Sequence, residues 1–357
     1  MRRRGSFLAA TGGFQPGDYA TFEPEWFGAV GDNGTDDTAA LQQCLDAALQ
    51  ANGTVQLRAK TYCFDHLTFR GGTARIKGAG WYATGGSFGN NSPRPGDGGF
   101  AAPGSWGGST LRCTATSTTD LIYAIDCATT PTQYPTPAFE DFYLTSFSNT
   151  ADSKVCGIRI GTRLHAVCPA FMKRVFIGNF YRGLSATVYS SAFFGVQCVG
   201  NDTGIYLDQS GSSVFHGTTL NLNRVGVYCD ASTMVFESGT IQGTGETSVV
   251  LSPTAHDCTF RGLWIENAGT ATHSFYINAG SQNATIQCHF GNGDTQDKVY
   301  IAGLNVRFVT PAGCPSITLA PTCGNFLLDS TYPGCEAHVT ASPDATWATA
   351  ARVAKNP

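Results

Sequence analysis

Between about Phe139 and Phe308 the apolar positions of the chain return at a nearly constant interval. Met172, Phe193, Phe215, Phe236 and Phe260 open successive units, at steps of 21, 22, 21 and 24 residues. Five residues after each opener stands another apolar or thiol side chain: Ile177, Cys198, Leu220, Ile241 and Ile265. A second short strand follows in every unit, at Gly183-Leu184, Gly204-Ile205-Tyr206-Leu207, Gly226-Val227-Tyr228-Cys229, Ser248-Val249-Val250-Leu251 and Ser274-Phe275-Tyr276-Ile277. Within these strands inward and outward residues alternate with period two. A period in the low twenties, built from short strands with no helix, predicts stacked coils. One coil cannot bury its own apolar face, so neighbours about 4.8 Å apart must make the core together.

One helix is signalled before the repeats. Asp36-Asp37-Thr38 supplies acidic and hydroxyl residues for its start, Leu41, Leu45, Ala48 and Leu49 share one face, and Asn52-Gly53 ends it. Placed over the first coil, it would cover an open strand edge that otherwise invites aggregation. The pattern divides the chain into an N-terminal arm (1–21), a capping helix with first coils (22–80), a Gly/Pro-rich loop with early coils (81–138), the body of coils (139–330) and a C-terminal tail (331–357). The expected fold is all-β, a parallel solenoid with a short N-terminal capping helix.

Composition narrows the picture. The chain of 357 residues carries 43 Gly, and only 13% of its residues are charged, which suits a β-rich protein with many tight corners. A net charge of -4 offers no basic footprint for nucleic acid, and no apolar run is long enough for a membrane span. The 13 Cys cannot all pair within the chain, and no C-x-x-C or Cys/His spacing marks a zinc site. Most are expected as small buried thiols of a protein folded in a reducing cytoplasm, with room for one bridge among Cys314, Cys323 and Cys335. Met1-Arg2-Arg3-Arg4 is not followed by the apolar stretch of a signal peptide. No cofactor or metal is expected.

The stretch from Phe27 to Ala40, Phe27-Gly28-Ala29-Val30-Gly31-Asp32-Asn33-Gly34-Thr35-Asp36-Asp37-Thr38-Ala39-Ala40, resembles the N-terminal signature of the pectate-lyase-like β-helix superfamily, which includes phage tailspikes. Thr54 to Tyr62 looks like the first coil of that family and Arg75-Ile76-Lys77-Gly78-Ala79-Gly80 like its next turn. The resemblance implies a right-handed parallel β-helix, and in this family the acids of the motif cap and turn the chain. The R-I-K string is out of the order that polygalacturonases use, and their N-T-D and G-H-G motifs are missing. The clustered carboxylates that a calcium-dependent pectate lyase needs are absent from the sequence pattern.

Three sets of outward columns carry candidate chemistry. Phe176, Gln197, Thr219, Thr240 and Trp264 lie four residues past the openers; Gly178, Val199, Asn221, Gln242 and Glu266 lie six past. Trp264 offers a stacking face for a pyranose, Asn221 and Gln242 offer amides for its hydroxyls, and Glu266 is the carboxyl placed as a general acid. The alternative for Glu266 is a turn cap beside Asn267. One residue past the openers stand Lys173, Phe194, His216, Glu237 and Arg261, an acid/base group with a cation or a surface salt-bridge ladder. On the second strands Tyr206, Tyr228 and Tyr276 point outward, with Asp208 and Asp230 on adjacent coils, either a glycosidase carboxyl pair or turn formers at strand ends.

The expected function is a phage virion tailspike-like protein that binds, and in one form depolymerises, bacterial surface polysaccharide. The alternatives are a non-catalytic virion structural protein and a secreted bacterial polysaccharide lyase or hydrolase. A homotrimer is expected, from the resemblance and because Phe176, Phe194 and Val199 point outward and need cover. Other virion proteins are expected at the N-terminal arm.

Overall fold

Two long parallel ladders run the length of the molecule and enclose one continuous apolar core. The computed structural model describes residues 20–80, 108–128, 135–147, 153–267, 271–291, 297–312, 315–330 and 335–349. Most of the N-terminal arm and all of residues 81–107, in the Gly/Pro-rich segment, therefore lie outside the described residues. The first ladder includes Thr136–Ser146, Phe171–Gly178, Val214–Asn221, Val235–Gln242 and Thr259–Glu266. The second includes Val155–Ile160, Arg182–Ala186, Thr203–Gly211, Val225–Ser232, Thr247–Leu251 and His273–Ile277. Every pairing between the described strands is parallel, and each joins strands of different coils. The fold is a right-handed parallel β-helix.

The register is the one the periodicity predicts. Met172, Phe193, Phe215, Phe236 and Phe260 are successive partners, and so are Ile177, Cys198, Leu220, Ile241 and Ile265. Both columns are buried. In the first, three phenylalanine pairs stack with ring centroids 4.3, 4.8 and 5.0 Å apart and planes within 6°. Stacking of this kind adds about 0.5–1.5 kcal/mol per pair beyond area burial.

A spacing of five between two inward residues is odd, and strict alternation forbids it. The backbone supplies the reason. Two residues past each opener, Asp141, Arg174, Gly195, Gly217, Ser238 and Gly262 all hold φ between 50° and 64°, in the left-handed region. That residue makes a corner and resets the alternation, so the opener, the third residue after it and the fifth all face inward. Glycine fills the corner at Gly217 and Gly262 without the cost of about 1–2 kcal/mol that a Cβ brings there. A further corner is built from Thr233, Asp257, Asn283, Asn305 and Asn325, again left-handed, where the side-chain amides of the three asparagines each donate to the residue below at 2.9 to 3.0 Å. Inside the stack, Asn201 Nδ2 donates to Asn223 Oδ1 at 3.0 Å, and both amides also bond backbone carbonyls.

The helix spans Thr38–Gln50 and buries Ala40, Leu41, Cys44, Leu45 and Ala48 in the core at the N-terminal end. Its acids divide their work differently from a simple N-cap. Asp37, at the cap position, makes no side-chain cap bond and turns back to accept Val30 N–H at 2.7 Å and Gly31 N–H at 3.0 Å. Asp36 takes Thr38 N–H at 3.0 Å instead, and Asp32 accepts from Gly34 N–H, Thr35 N–H and the Thr35 hydroxyl. The acids of the signature segment are thus turn formers and braces. Arg75-Ile76-Lys77 lies in the strand Thr73–Lys77, with Arg75 Nε 3.3 Å from Glu140, and is structural.

The stack continues into residues 331–357, which the sequence alone reads as a tail: Val339–Ala341 pairs with Ser316–Leu319, and Trp347–Thr349 with Phe326–Ser330. Eleven cysteines carry no disulfide, ten of them buried, while Cys335 is disulfide-bonded. Cys323 is among the unbridged ones, and Cys314 lies outside the described residues.

Candidate functional site

The strands Val235–Gln242 and Thr259–Glu266 place Gln242 beside Glu266 and Thr240 beside Trp264 on one outward face. Asn221 and Thr219 continue both columns on the coil before. Trp264 is 46% exposed. Its indole Nε1 donates to Glu266 Oε2 at 3.2 Å, and Gln242 Nε2 donates to the same oxygen at 3.1 Å. No described donor reaches the other carboxylate oxygen. The glutamate therefore faces across the sheet rather than capping a turn. Asn267, its expected turn partner, is buried and bonded to Ser248 at 2.5 Å and Ser274 at 2.7 Å.

Two residues of this patch escaped the sequence reading. His289 is the partner of Trp264 on the following coil. Gly291 lies under the indole: a methyl group on its Cα would stand 3.0 Å from Cζ2 and 3.2 Å from Cε2 and Nε1 of Trp264. The ring rests on bare backbone because that position has no side chain. Only the register of the next coil reveals this, since 291 is 27 residues away from 264.

Farther down the same columns the expectation of exposed apolar residues fails. Phe176 and Val199 are only 4% and 9% exposed and form a small separate cluster with Tyr143, whose ring centroid is 5.0 Å from that of Phe176. They point away from the main core but are covered within the chain. Of the three residues whose cover argued for a trimer, only Phe194 remains, at 39% exposure.

The column one residue past the openers is a ladder. Lys173, Phe194, His216, Glu237 and Arg261 are successive partners. Arg261 holds Glu237 through Nε at 3.1 Å and through a second bond from Nη2, and His216 Nδ1 is 3.5 Å from the other oxygen of Glu237. The Arg261 bond holds the Glu237 carboxyl below its usual range. Paired on both sides and only partly buried, Glu237 reads as part of a salt-bridge ladder, which adds little stability.

The second sheet brings Tyr206, Tyr228, Val250, Tyr276 and Tyr300 into one outward column; Tyr300 was not anticipated. Tyr206 and Tyr228 stack at 5.0 Å with planes 7° apart, and Arg182 covers the ring of Tyr206 at 3.7 Å. Tyr276 and Tyr300 stack at 4.8 Å, with His273 edge-on to both. Burial pushes the Tyr206 and Tyr228 phenols up. Asp208 and Asp230 are direct partners on adjacent coils, within strands that run on to Gly211 and Ser232, so neither ends a strand. Asp208 is raised by burial, against the pull of Arg163, whose Nε is 3.9 Å away. Asp230 accepts from the hydroxyls of Ser252, at 2.8 Å, and Thr254. A register shift follows Asp208, where Gln209 is left-handed at φ 50°. Among the described residues no three His, Cys, Asp or Glu side chains gather as a metal site.

Solved structures with this architecture include the enzymatically active domain of tailspike protein 2 from bacteriophage CBA120. It superposes with a TM-score of 0.65 at 11% identity, covering 88% of this chain and 48% of the tailspike domain. The chain shares its fold with a phage tailspike. It spans about half the length of that protein. The A-module of mannuronan C-5 epimerase AlgE4 from Azotobacter vinelandii matches at 0.58 and 16% identity, covering 93% of this chain and 100% of the module. PfbA, a surface adhesin of Streptococcus pneumoniae, matches at 0.57 and 10% identity, covering 92% and 88%. No protein-family model and no curated protein matches the sequence. At these identities the likeness is one of fold, and the fold serves an epimerase as well as an adhesin. No helix among the described residues is long and apolar enough to cross a membrane.

Proposed function

We propose that this protein is a tailspike-like virion component that binds bacterial surface polysaccharide on the face carrying Trp264, Gln242 and Glu266. One observation carries the reading. Trp264 is a large aromatic, half-exposed, fixed at its nitrogen by Glu266 and seated on Gly291, with no ring or cation over it among the described residues. A rigid indole with an open face suits the apolar side of a sugar ring, and the amides and carboxylate beside it suit hydroxyls. Glu266 is the acid to test first for cleavage. Binding of host capsule or lipopolysaccharide glycans, followed by reducing-sugar release, tests both steps. If neither binding nor release occurs with any host glycan, the reading fails.

A second reading, a surface that holds the glycan without cleaving it, is favoured by the state of the carboxylates. Glu266 is tied to Gln242 and Trp264, Glu237 to Arg261, Asp208 faces Arg163, and Asp230 is tied to Ser252 and Thr254. In either reading the protein would assemble as a trimer, attach to other virion proteins through its N-terminal arm, and be made in the host cytoplasm.

A further inference from the structure

The arginines around the second sheet are nearly all matched to acids. Arg159 binds Asp126, Arg163 faces Asp208, and Arg224 binds Asp202 and Glu246. Two cations on this sheet are not. Lys154 Nζ lies 4.1 Å above the ring centre of Tyr181, and the Arg182 guanidinium lies 5.7 Å from the same ring and 3.7 Å above Tyr206. Neither has a carboxylate partner among the described residues. They sit on successive coils, joined by Tyr181 N–H donating to Val155 O at 2.7 Å. The result is a row of cation, ring, cation, ring, ring from Lys154 through Tyr181, Arg182 and Tyr206 to Tyr228.

In a chain of net charge -4, both cations are half-buried, held on aromatic rings and without an acid partner among the described residues. A ring beneath a guanidinium orients it and strips part of its water without using its hydrogen-bond donors. That leaves the planar fork of Arg182 ready for a planar anion with two oxygens. Lys154 adds a point charge beside it. Asp202, on the next coil beside Tyr181, is bound by Arg224, and Asp208, farther along the face, is answered by Arg163.

We propose that Lys154, Tyr181, Arg182 and Tyr206 form a second glycan-binding site, specific for a carboxylate-bearing sugar such as a uronate residue. It lies on a different sheet from Trp264. Arg182 takes the carboxylate in a two-bond fork, Lys154 adds charge, and the tyrosine hydroxyls meet the sugar hydroxyls. The proposal rests on the reading that the partner is a glycan and specifies that the glycan is acidic.

The test uses the whole chain and two polymers, polygalacturonate and neutral dextran, together with host surface glycan. Wild type is expected to bind polygalacturonate, and Arg182→Gln and Lys154→Gln each to weaken that binding about tenfold, as when a charge-assisted pair is lost. Arg182→Lys, which keeps charge and removes the fork, should fall between. Lys298→Gln, an exposed lysine away from this row, should bind as wild type, which separates the site from general charge attraction. Thermal melting of each variant controls for folding, and Lys154→Gln serves if Arg182→Gln does not fold. Unchanged binding by both Gln variants overturns the proposal. So does wild type that binds a neutral or host glycan but not polygalacturonate, and in that case the polysaccharide reading survives. If no glycan binds at all, both fall.

Discussion

Trp264 and Tyr228 both project outward from the same stack of coils, but they present different surfaces. Tyr228 has Tyr206 as its partner one coil away, and the two rings lie flat on each other at 5.0 Å. Arg182 closes the far side of Tyr206. Trp264 has Thr240 on one neighbouring coil and His289 on the other, and its ring rests on Gly291. In a parallel β-helix the spacing between coils is near the thickness of a stacked ring pair, so aromatic residues in register consume each other's faces. An aromatic residue on which no ring is stacked keeps a face for a ligand. The tyrosine column therefore contributes edges and hydroxyls, whereas Trp264 contributes a platform.

The largest expected effect separates the two faces by chemistry. If the protein cleaves its glycan, Glu266→Gln should lower the turnover rate by ~10²–10⁴-fold, the usual contribution of a general acid, with an unchanged melting temperature. Asp208→Asn and Glu237→Gln are the competing variants. Full activity in Glu266→Gln together with loss in either of those would move the site to another face.

A smaller effect concerns the rings. Trp264→Ala should weaken glycan binding about tenfold, since stacked contacts contribute about 0.5–1.5 kcal/mol beyond area burial, and leave stability nearly unchanged. Gly291→Ala should shift the indole and its fluorescence and weaken the same binding. Tyr228→Ala should do the reverse, lowering stability by about 1 kcal/mol in denaturant titration while the Trp264 face still binds. Equal losses of binding from Trp264→Ala and Tyr228→Ala would break the distinction between platform and packed column.

Acid should act on the two faces with opposite sign. Burial raises the Asp208 carboxyl above its ordinary value of 3.8, so its contribution to stability is present below that value and is lost as pH rises through the folded pKa. Asp208→Asn should then gain stability relative to wild type between pH 4 and neutrality. Arg261 lowers Glu237 below 4.5, so its contribution is present above that value and is lost as pH falls through the folded pKa. Glu237→Gln should flatten the acid limb slightly, because the pair is only partly buried. Melting temperatures of both variants across pH 3–7 check the signs.

The subtlest outcome is the assembly. A homotrimer should appear by light scattering at micromolar concentration, with Phe194→Ser weakening it modestly. A clean monomer would remove the trimer, whose apolar argument now rests on Phe194 alone.

Much of the fold was legible because a solenoid repeats its physics. The interval between Met172, Phe193, Phe215, Phe236 and Phe260 translated directly into strand register, and the residues five past them into a second buried column. The capping and turn-forming role of Asp32 and Asp36 came from the family resemblance rather than from the repeat, and their contacts are local. The cover over Phe176 was not legible: Tyr143 is more than thirty residues earlier, and outward direction in a column does not reveal what lies on top.

The candidate site divides along the same line. Columns that follow register, such as Trp264 with Glu266 or Tyr206 with Tyr228, came from the sequence by itself, because the period decides which side chains share a face. The tertiary structure decided what each column does. It put Gly291 beneath Trp264, turned the Glu266 carboxylate toward Gln242 and the indole, matched Arg261 to Glu237, and left Arg182 on a ring with no acid partner among the described residues. These depend on side-chain rotation and on irregular segments between the strands. The repeat constrains neither, so the hydrophobic pattern that specifies the coils carries no information about them.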